Sequence, residues 1–220
     1  MVKVGYICEG DTETIVFNST EFDDFLRSIG IEKVGRAIKS GRDDREGGKD
    51  NMKPGSEIVL ANITALKEQG AAFIVFIRDL EDLPCITSAK EEVITIEKSY
   101  KLITVRAFES LFLADSQTLS ALLGEEYEYP FPEKAVNPYE ELRQIFVEKR
   151  GENKGIGTNK KKIAGLFVKH GFSLHRAAQH PNCQSAAYFL NKLKHIQSPQ
   201  TPNRGFPNQN YPIEGQGAEL

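Results

Sequence analysis

Three short stretches crowd acidic side chains where apolar runs end. Residues 7–13 read I-C-E-G-D-T-E, straight after V-K-V-G-Y. Residues 72–82 read A-F-I-V-F-I-R-D-L-E-D, and residues 108–115 read F-E-S-L-F-L-A-D. A carboxylate drawn into a protein loses its hydration, so acids at the ends of buried strands need a compensating partner. Three or four hard oxygen ligands around a small site suit Mg²⁺ or Mn²⁺, which keep several waters and share ligands with substrate phosphates. Ions held this way activate water, clamp phosphate oxygens and stabilise a leaving group. The candidate metal ligands are Glu9, Asp79, Glu81 and Asp82. Glu13 and Glu109 are candidate catalytic acids, either as supporting ligands or as water-positioning bases. Asp79 and Glu81 are two apart, so on an extended segment both project to the same side, and Asp82 projects oppositely or turns into the loop.

Each acid also has a plainer reading. Glu9 alone reads equally as a solvated loop residue. Asp11 and Glu13 stand where a helix starts, and negative charge is favourable there in any case; Asp11 is best read that way. Glu81 and Asp82 suit an ordinary loop, and Glu109 suits a helix start. The joint pattern, rather than any single acid, points to chemistry.

A basic counterpart lies at residues 153–162, N-K-G-I-G-T-N-K-K-K. It lacks G-x-x-x-x-G-K-[ST] and so is no Walker loop. Thr158 is a candidate start for a helix whose N-terminal amides, with Lys160, Lys161 and Lys162, face an anion. Lysine contacts to phosphate add affinity without sequence specificity. The alternative is a solvated turn and helix start. His170, His175 and His180 are five apart, which does not place them on one helix face. His175 and Arg176 read as surface or packing residues rather than as members of the acidic edge.

The elements that must position these groups alternate. Residues 2–8 read as a strand, residues 13–29 as an amphipathic helix with Val16, Phe17, Phe22, Phe25, Leu26 and Ile29 in its stripe, and residues 32–39 as a second strand. Asp11 or Thr12 is a candidate cap for that helix. Residues 41–55, charged and rich in glycine, read as a mobile loop. Residues 55–69 read as a helix stopped by Gly70. Residues 72–77, apolar without alternation, suit a central parallel strand buried on both faces. A helix over 88–100, a strand over 102–107 and a helix from Glu109 follow. This order predicts an α/β fold with a parallel sheet, right-handed crossovers and covering helices. Functional groups then gather at the carboxyl ends of the strands, which brings Glu9, Asp79, Glu81 and Glu109 to one edge.

Past residue 124 the pattern changes. Residues 125–137 form a proline-rich, acidic linker. Residues 138–197 carry helical patterns only, at about 138–149, 159–170, 173–180 and 183–196, predicting a helical C-terminal subdomain packed on the sheet or on a second subunit in a homodimer. Residues 198–220 read as an irregular or disordered tail. The division is therefore an α/β domain over 1–124, a linker, a helical subdomain and a tail.

The 220 residues are 40% hydrophobic and 27% charged, enough for a substantial core. Net charge is −3, so a nucleic-acid partner must bind a local patch or through metal ions. Three scattered cysteines, Cys8, Cys85 and Cys183, suit neither a disulfide framework nor a zinc site. No apolar run is long enough for a membrane span, and the N-terminus lacks the pattern of a signal peptide. The expectation is a cytoplasmic protein with no membrane partner.

The motifs C-E-G-D-T-E, I-R-D-L-E-D and A-F-E-S-L-F-L-A-D together resemble a TOPRIM domain, in the compact form of OLD-family nucleases and of small standalone prokaryotic relatives. The resemblance covers residues 2–123. It matches a Glu after the first strand within E-G-x-T-E at Glu9, Gly10, Thr12 and Glu13, and a later D-x-D at Asp79, with Glu81 in place of the second Asp. The longer Glu81 side chain departs from that pattern. Glu109–Asp115 resembles a third acidic motif. The stretch from Lys160 to Leu193 is similar to the helical end of the standalone proteins, where a Lys in the helix favours Lys161 or Lys162 as a phosphate contact. The resemblance implies a Rossmann-like TOPRIM fold and phosphodiester chemistry dependent on Mg²⁺ or Mn²⁺. It implies an endonuclease or nickase acting on nucleic acid, DNA above all, in prokaryotic genome or phage defence. One alternative is a non-catalytic subunit of a defence complex with an ATPase partner. Another is metal-dependent phosphoryl transfer on a small phosphate ester.

Overall fold

The computed structural model describes residues 1–41, 48–151 and 155–197. Part of the loop expected over 41–55, and the whole tail from residue 198, lie outside the described residues.

Five strands form one parallel sheet: β1 (Val2–Cys8), β2 (Ile31–Lys33), β3 (Ile38–Lys39), β4 (Phe73–Asp79) and β5 (Ser99–Thr104). The order is β2-β1-β4-β5, with β3 also on β1. Strands β2 and β3 pair with opposite ends of β1, Val2 facing Ile31 and Ile7 facing Ile38. They are therefore one edge strand, expected over 32–39, broken where Gly35 takes a left-handed φ of 58°. The sheet is buried on both faces, as the non-alternating run in β4 predicts. Val4, Tyr6, Cys8, Val75 and Ile77 enter one apolar cluster, while Ile7, Ile74 and Phe76 enter the other. That split follows the two-residue period of a strand.

The second face is covered by α3 (Glu57–Glu68), with Val59, Ile63 and Leu66 inward, and by a 3-10 turn at Lys49–Met52. The first face is covered by α1 (Asp11–Phe17) and α2 (Thr20–Ser28). The single helix expected over 13–29 is thus two. Ser19 caps α2 by accepting from the Phe22 amide at 3.2 Å, and Asn18 Oδ1 accepts from the Ala37 amide at 2.9 Å, which pins the break. The cap of α1 is Gly10, without a side-chain bond, rather than Asp11 or Thr12.

Helix α4 (Ile86–Glu91) is shorter than the helix expected over 88–100, and β5 starts earlier than residue 102. Val93-Ile94-Thr95-Ile96 is a run of four β-branched residues, poor for helix, and Val93 and Ile94 are buried in the second cluster. Lys98, at φ 55°, turns the chain into β5.

After β5 come α5 (Glu109–Ala114), α6 (Ser116–Leu123), a 3-10 turn at Pro132–Lys134, α7 (Pro138–Arg150), α8 (Lys160–Lys169), α9 (Leu174–Ala177) and α10 (Gln184–Gln197). Their apolar sides join the cluster that covers the first sheet face, which runs without interruption from Val4 to Ile196. Phe17 of α1 meets Phe189 of α10 edge-on at 5.4 Å, and Phe112 of α5 stacks on Phe167 of α8 at 4.5 Å. The segment 125–137 is tied into the same core. Tyr127 and Tyr129 pack on it, and Glu133 accepts from the Ser185 amide at 2.7 Å. Among the described residues, no helix is long and apolar enough to cross a membrane.

Candidate metal and phosphate site

Strand order decides where the acids meet. From β1 the chain crosses to the edge strand on one side, and β4 lies on the other. A crevice therefore opens at the carboxyl ends of β1 and β4, the switch point at which ligands bind in open α/β sheets. Glu9 follows β1 directly and Asp79 is the last residue of β4.

The cleft there has a volume of about 470 Å³. Glu9, Asp11, Thr12, Glu13, Lys39, Asp79, Glu81, Glu109, Asn159, Lys160 and Lys161 line it, together with Gly10, Gly48 and Phe108. Glu9, Glu13, Asp79 and Glu109, expected from three separate stretches, share this one cleft. Glu9 Oε2 accepts from the Asp79 amide at 3.2 Å and lies 3.8 Å from Arg78 Nε. Glu13 comes from the first turn of α1 and Glu109 from the first turn of α5, and they are only 3% and 2% exposed. Glu109 Oε1 accepts from Thr12 Oγ1 at 3.3 Å and lies 3.5 Å from Lys160 Nζ.

Burying these carboxylates together disfavours their charged forms. Burial, then the charges of Glu109 and Glu9, push the Glu13 carboxyl up to about 8, against the pull of its own backbone amide and Lys160. Burial, then Glu13, Glu109 and Glu9, hold Asp79 well above the usual carboxylate range. Burial raises Glu9 too; Glu81 adds to this, while the Asp79 amide, Arg78 and Lys49 oppose it. Asp79 Oδ1 is enclosed and accepts no hydrogen bond. An orphaned carboxylate oxygen of Asp79, with Glu9, Glu13 and Glu109 around it, is an environment that a hard cation relieves, so the donor set fits Mg²⁺ or Mn²⁺. The ligands are not gathered in advance. Among the described residues, no three His, Cys, Asp or Glu side chains already converge as a metal centre. Glu9 is turned onto the Asp79 amide, a contact that an ion held by both Glu9 oxygens would have to displace, while Glu109 is held by Thr12 and Lys160.

Glu81 departs from expectation. The chain is not extended past Asp79. Glu81 sits at φ 51°, its amide donating to the Arg106 carbonyl at 2.8 Å, and its carboxylate pairs with Lys49 at the cleft's rim. Asp79 and Glu81 therefore do not project to one side as a strand pair. Asp82 is exposed and is not among the residues lining the cleft. The three lysines separate as well. Lys160 serves Glu109, Lys161 Nζ lies 3.2 Å from Asp11 Oδ2, and Lys162 is exposed away from the cleft lining. Helix α8 is capped by Asn159, whose Oδ1 accepts from the Lys162 amide at 3.1 Å, rather than by Thr158. Asp115, in the third acidic stretch, is buried elsewhere and pairs with Arg176. His180 is buried and bonds the Tyr129 carbonyl.

Sequence reasoning missed four residues of this site. Lys39 lines the cleft from the end of β3, and the strand-end argument that found Glu9 applies to it equally. Thr12 lies within the quoted motif but bonds Glu109 instead of capping a helix. Lys49 holds Glu81. Arg78, 1% exposed, bonds the Ala89 carbonyl at 3.2 Å and Glu92 at 2.6 Å, with its Nε making no hydrogen bond but lying 3.8 Å from Glu9 Oε2. Nothing local in an apolar strand marks that arginine. Compared with models of known families, with curated proteins and with solved structures, the chain matches none.

Proposed function

We propose that the chain is a divalent-cation-dependent phosphodiesterase of TOPRIM type, an endonuclease or nickase acting on nucleic acid. The observation that carries this reading is the convergence of Glu9, Glu13, Asp79 and Glu109 at the switch-point cleft, which Lys160 and Lys161 also line. When bound, Mg²⁺ or Mn²⁺ supplies a water of lowered pKa and a Lewis acid for the scissile phosphate.

Glu9 and Asp79 would hold the ion, and the enclosed Asp79 Oδ1, which accepts no hydrogen bond, would gain most from it. Without a bound cation Glu13, its carboxyl raised to about 8, favours holding a proton in the cleft, and a cation beside it would favour release of that proton. Glu109, fixed by Thr12 and Lys160, can orient a water through its second carboxylate oxygen. Lys161, beside Asp11 in the cleft lining, offers a contact to the phosphate backbone, which favours a polyanionic substrate without selecting its sequence. The free thiols Cys8, Cys85 and Cys183 suit a reducing, cytoplasmic setting.

The test is cleavage of supercoiled plasmid, single-stranded DNA and RNA in Mg²⁺ or Mn²⁺ by the full chain and by Glu9→Gln. Nicking or cutting that falls at least about a hundredfold in the variant supports the assignment, since even outer-shell partners of a metal are worth 10- to 100-fold. No cleavage of any substrate, or cleavage indifferent to Glu9→Gln, overturns it. Turnover of a small chromogenic phosphodiester, or activity only with an added ATPase, would then define the replacement.

A further inference from the structure

We propose that Lys39 and Lys161 form the phosphate subsite of the cleft, and that the Asp11 carboxylate occupies it as a resident counter-ion which a substrate phosphate displaces. The inference rests on the phosphodiesterase reading and adds to it where the backbone phosphate sits and what it must displace.

The two lysines come from distant elements. Lys39 ends β3, opposite Cys8 of β1, at the carboxyl edge of the sheet. Lys161 is in the first turn of α8. Both ammonium groups reach one atom, Asp11 Oδ2, each at 3.2 Å. Two cations converging on one anionic oxygen are what a non-bridging phosphate oxygen requires. The Lys39 side chain is 17% exposed, so its charge is partly desolvated and depends on an anionic partner. Asp11 does not depend on the lysines to the same degree. It stands in the first turn of α1, where the helix dipole already favours a negative charge, and its side chain is 30% exposed. Giving up an ion pair of that exposure costs Asp11 little.

The other lysines are committed differently. Lys160 is the counter-ion of Glu109, and Lys162 lies outside the cleft lining. Of the residues lining the cleft, six are acids (Glu9, Asp11, Glu13, Asp79, Glu81, Glu109) and three are lysines. A polyanion entering that field gains most by taking the place of the one acid that already sits on two lysines. The subsite contacts backbone only, so it sets affinity rather than sequence preference.

The experiment measures two ligands with the full chain, Asp11→Asn, Lys39→Met and the double variant. One is a fluorescein-labelled single-stranded DNA in Ca²⁺, read by anisotropy. The other is thymidine 5′-monophosphate in Mg²⁺, read by calorimetry. Unfolding midpoints establish that each variant is folded, and Lys39→Met in the Asp11→Asn background keeps the test open should either single variant fold poorly. Asp11→Asn is expected to tighten both ligands by about fivefold, because it removes the competing carboxylate charge and leaves both lysines in place. Adding Lys39→Met should cancel that gain and lower the salt slope of single-strand binding by about 0.7, the equivalent of one phosphate contact. Tightening of the mononucleotide without any DNA binding keeps the subsite and overturns the nucleic-acid reading. DNA bound and cut, with affinity indifferent to Asp11→Asn and Lys39→Met, overturns the subsite and keeps the phosphodiesterase. Neither ligand bound by any form overturns both.

Discussion

The Asp79 amide donates to Glu9 Oε2 at 3.2 Å, joining the ends of two strands whose residues lie 70 apart in the chain. In this arrangement Glu9 closes the floor of the cleft instead of presenting both oxygens to it. The cluster therefore carries an electrostatic penalty that a cation would remove, and the consequences are measurable.

Stability of the metal-free protein should fall as pH rises. Glu13, at about 8 when folded, and Asp79 and Glu9, also raised, bind more protons in the folded chain than in the unfolded one. Their contribution is therefore complete below the unfolded carboxylate range near 4.5 and is lost as pH climbs towards about 8. A single group of this kind sets a slope of at most ~1.4 kcal/mol per pH unit. Thermal melts from pH 5 to 8 should show the decline, Glu13→Gln should flatten it, and Mg²⁺ should raise the midpoint more at pH 8 than at pH 5. A Mg²⁺ effect that is absent, or largest at acid pH, would count against a cation among these carboxylates.

Glu81 permits backbone and charge to be separated. Its left-handed φ is tolerated by Asn and is poor for a β-branched residue. Glu81→Asn should leave the unfolding free energy within about 0.5 kcal/mol, because the pair with Lys49 is exposed. Glu81→Val should lower it by roughly 1–2 kcal/mol. Since Glu81 lies at the rim, Glu81→Asn should reduce cleavage less than Glu9→Gln does. Equal losses in side-by-side rate measurements would show that the carboxylate swings inward to act as a ligand.

Asp115 and Arg176 make the opposite case. Asp115 is fully buried, and both its oxygens are bonded: to the Thr118 amide and hydroxyl, the Ser173 amide and the Arg176 guanidinium. Arg176→Met leaves that buried carboxylate its three neutral donors but no counter-charge, and should cost about 3 kcal/mol in chemical denaturation. Cleavage per folded molecule should not change, because neither residue lines the cleft. A rate loss with intact stability would place the pair in the chemistry.

Much of this architecture is readable along the chain. The apolar run 72–77 has no alternation, and it becomes the doubly buried β4 beside β1. The alternation of strand and helix yields the parallel sheet, and the helical patterns after residue 138 appear within a few residues of their expected places. Acids placed after strands, at Glu9, Asp79 and Glu109, reach one edge because parallel strands end on the same side. Other features were not legible. Burial of Val93 and Ile94 in the second cluster moved the boundary between α4 and β5, and the capping of Ser19 split a helix whose apolar stripe runs straight through the break.

What the sequence determined alone is the alternation of strands and helices, and that acids stand at strand ends, because periodicity and burial are written in neighbouring residues. The tertiary structure decided which side chains share the cleft. Strand order brings Lys39 beside Asp11, a left-handed turn sends Glu81 to Lys49, and packing on β4 buries Arg78 behind Glu9. Those outcomes depend on strand pairing and on single turn dihedrals, which long-range packing sets and no local pattern encodes.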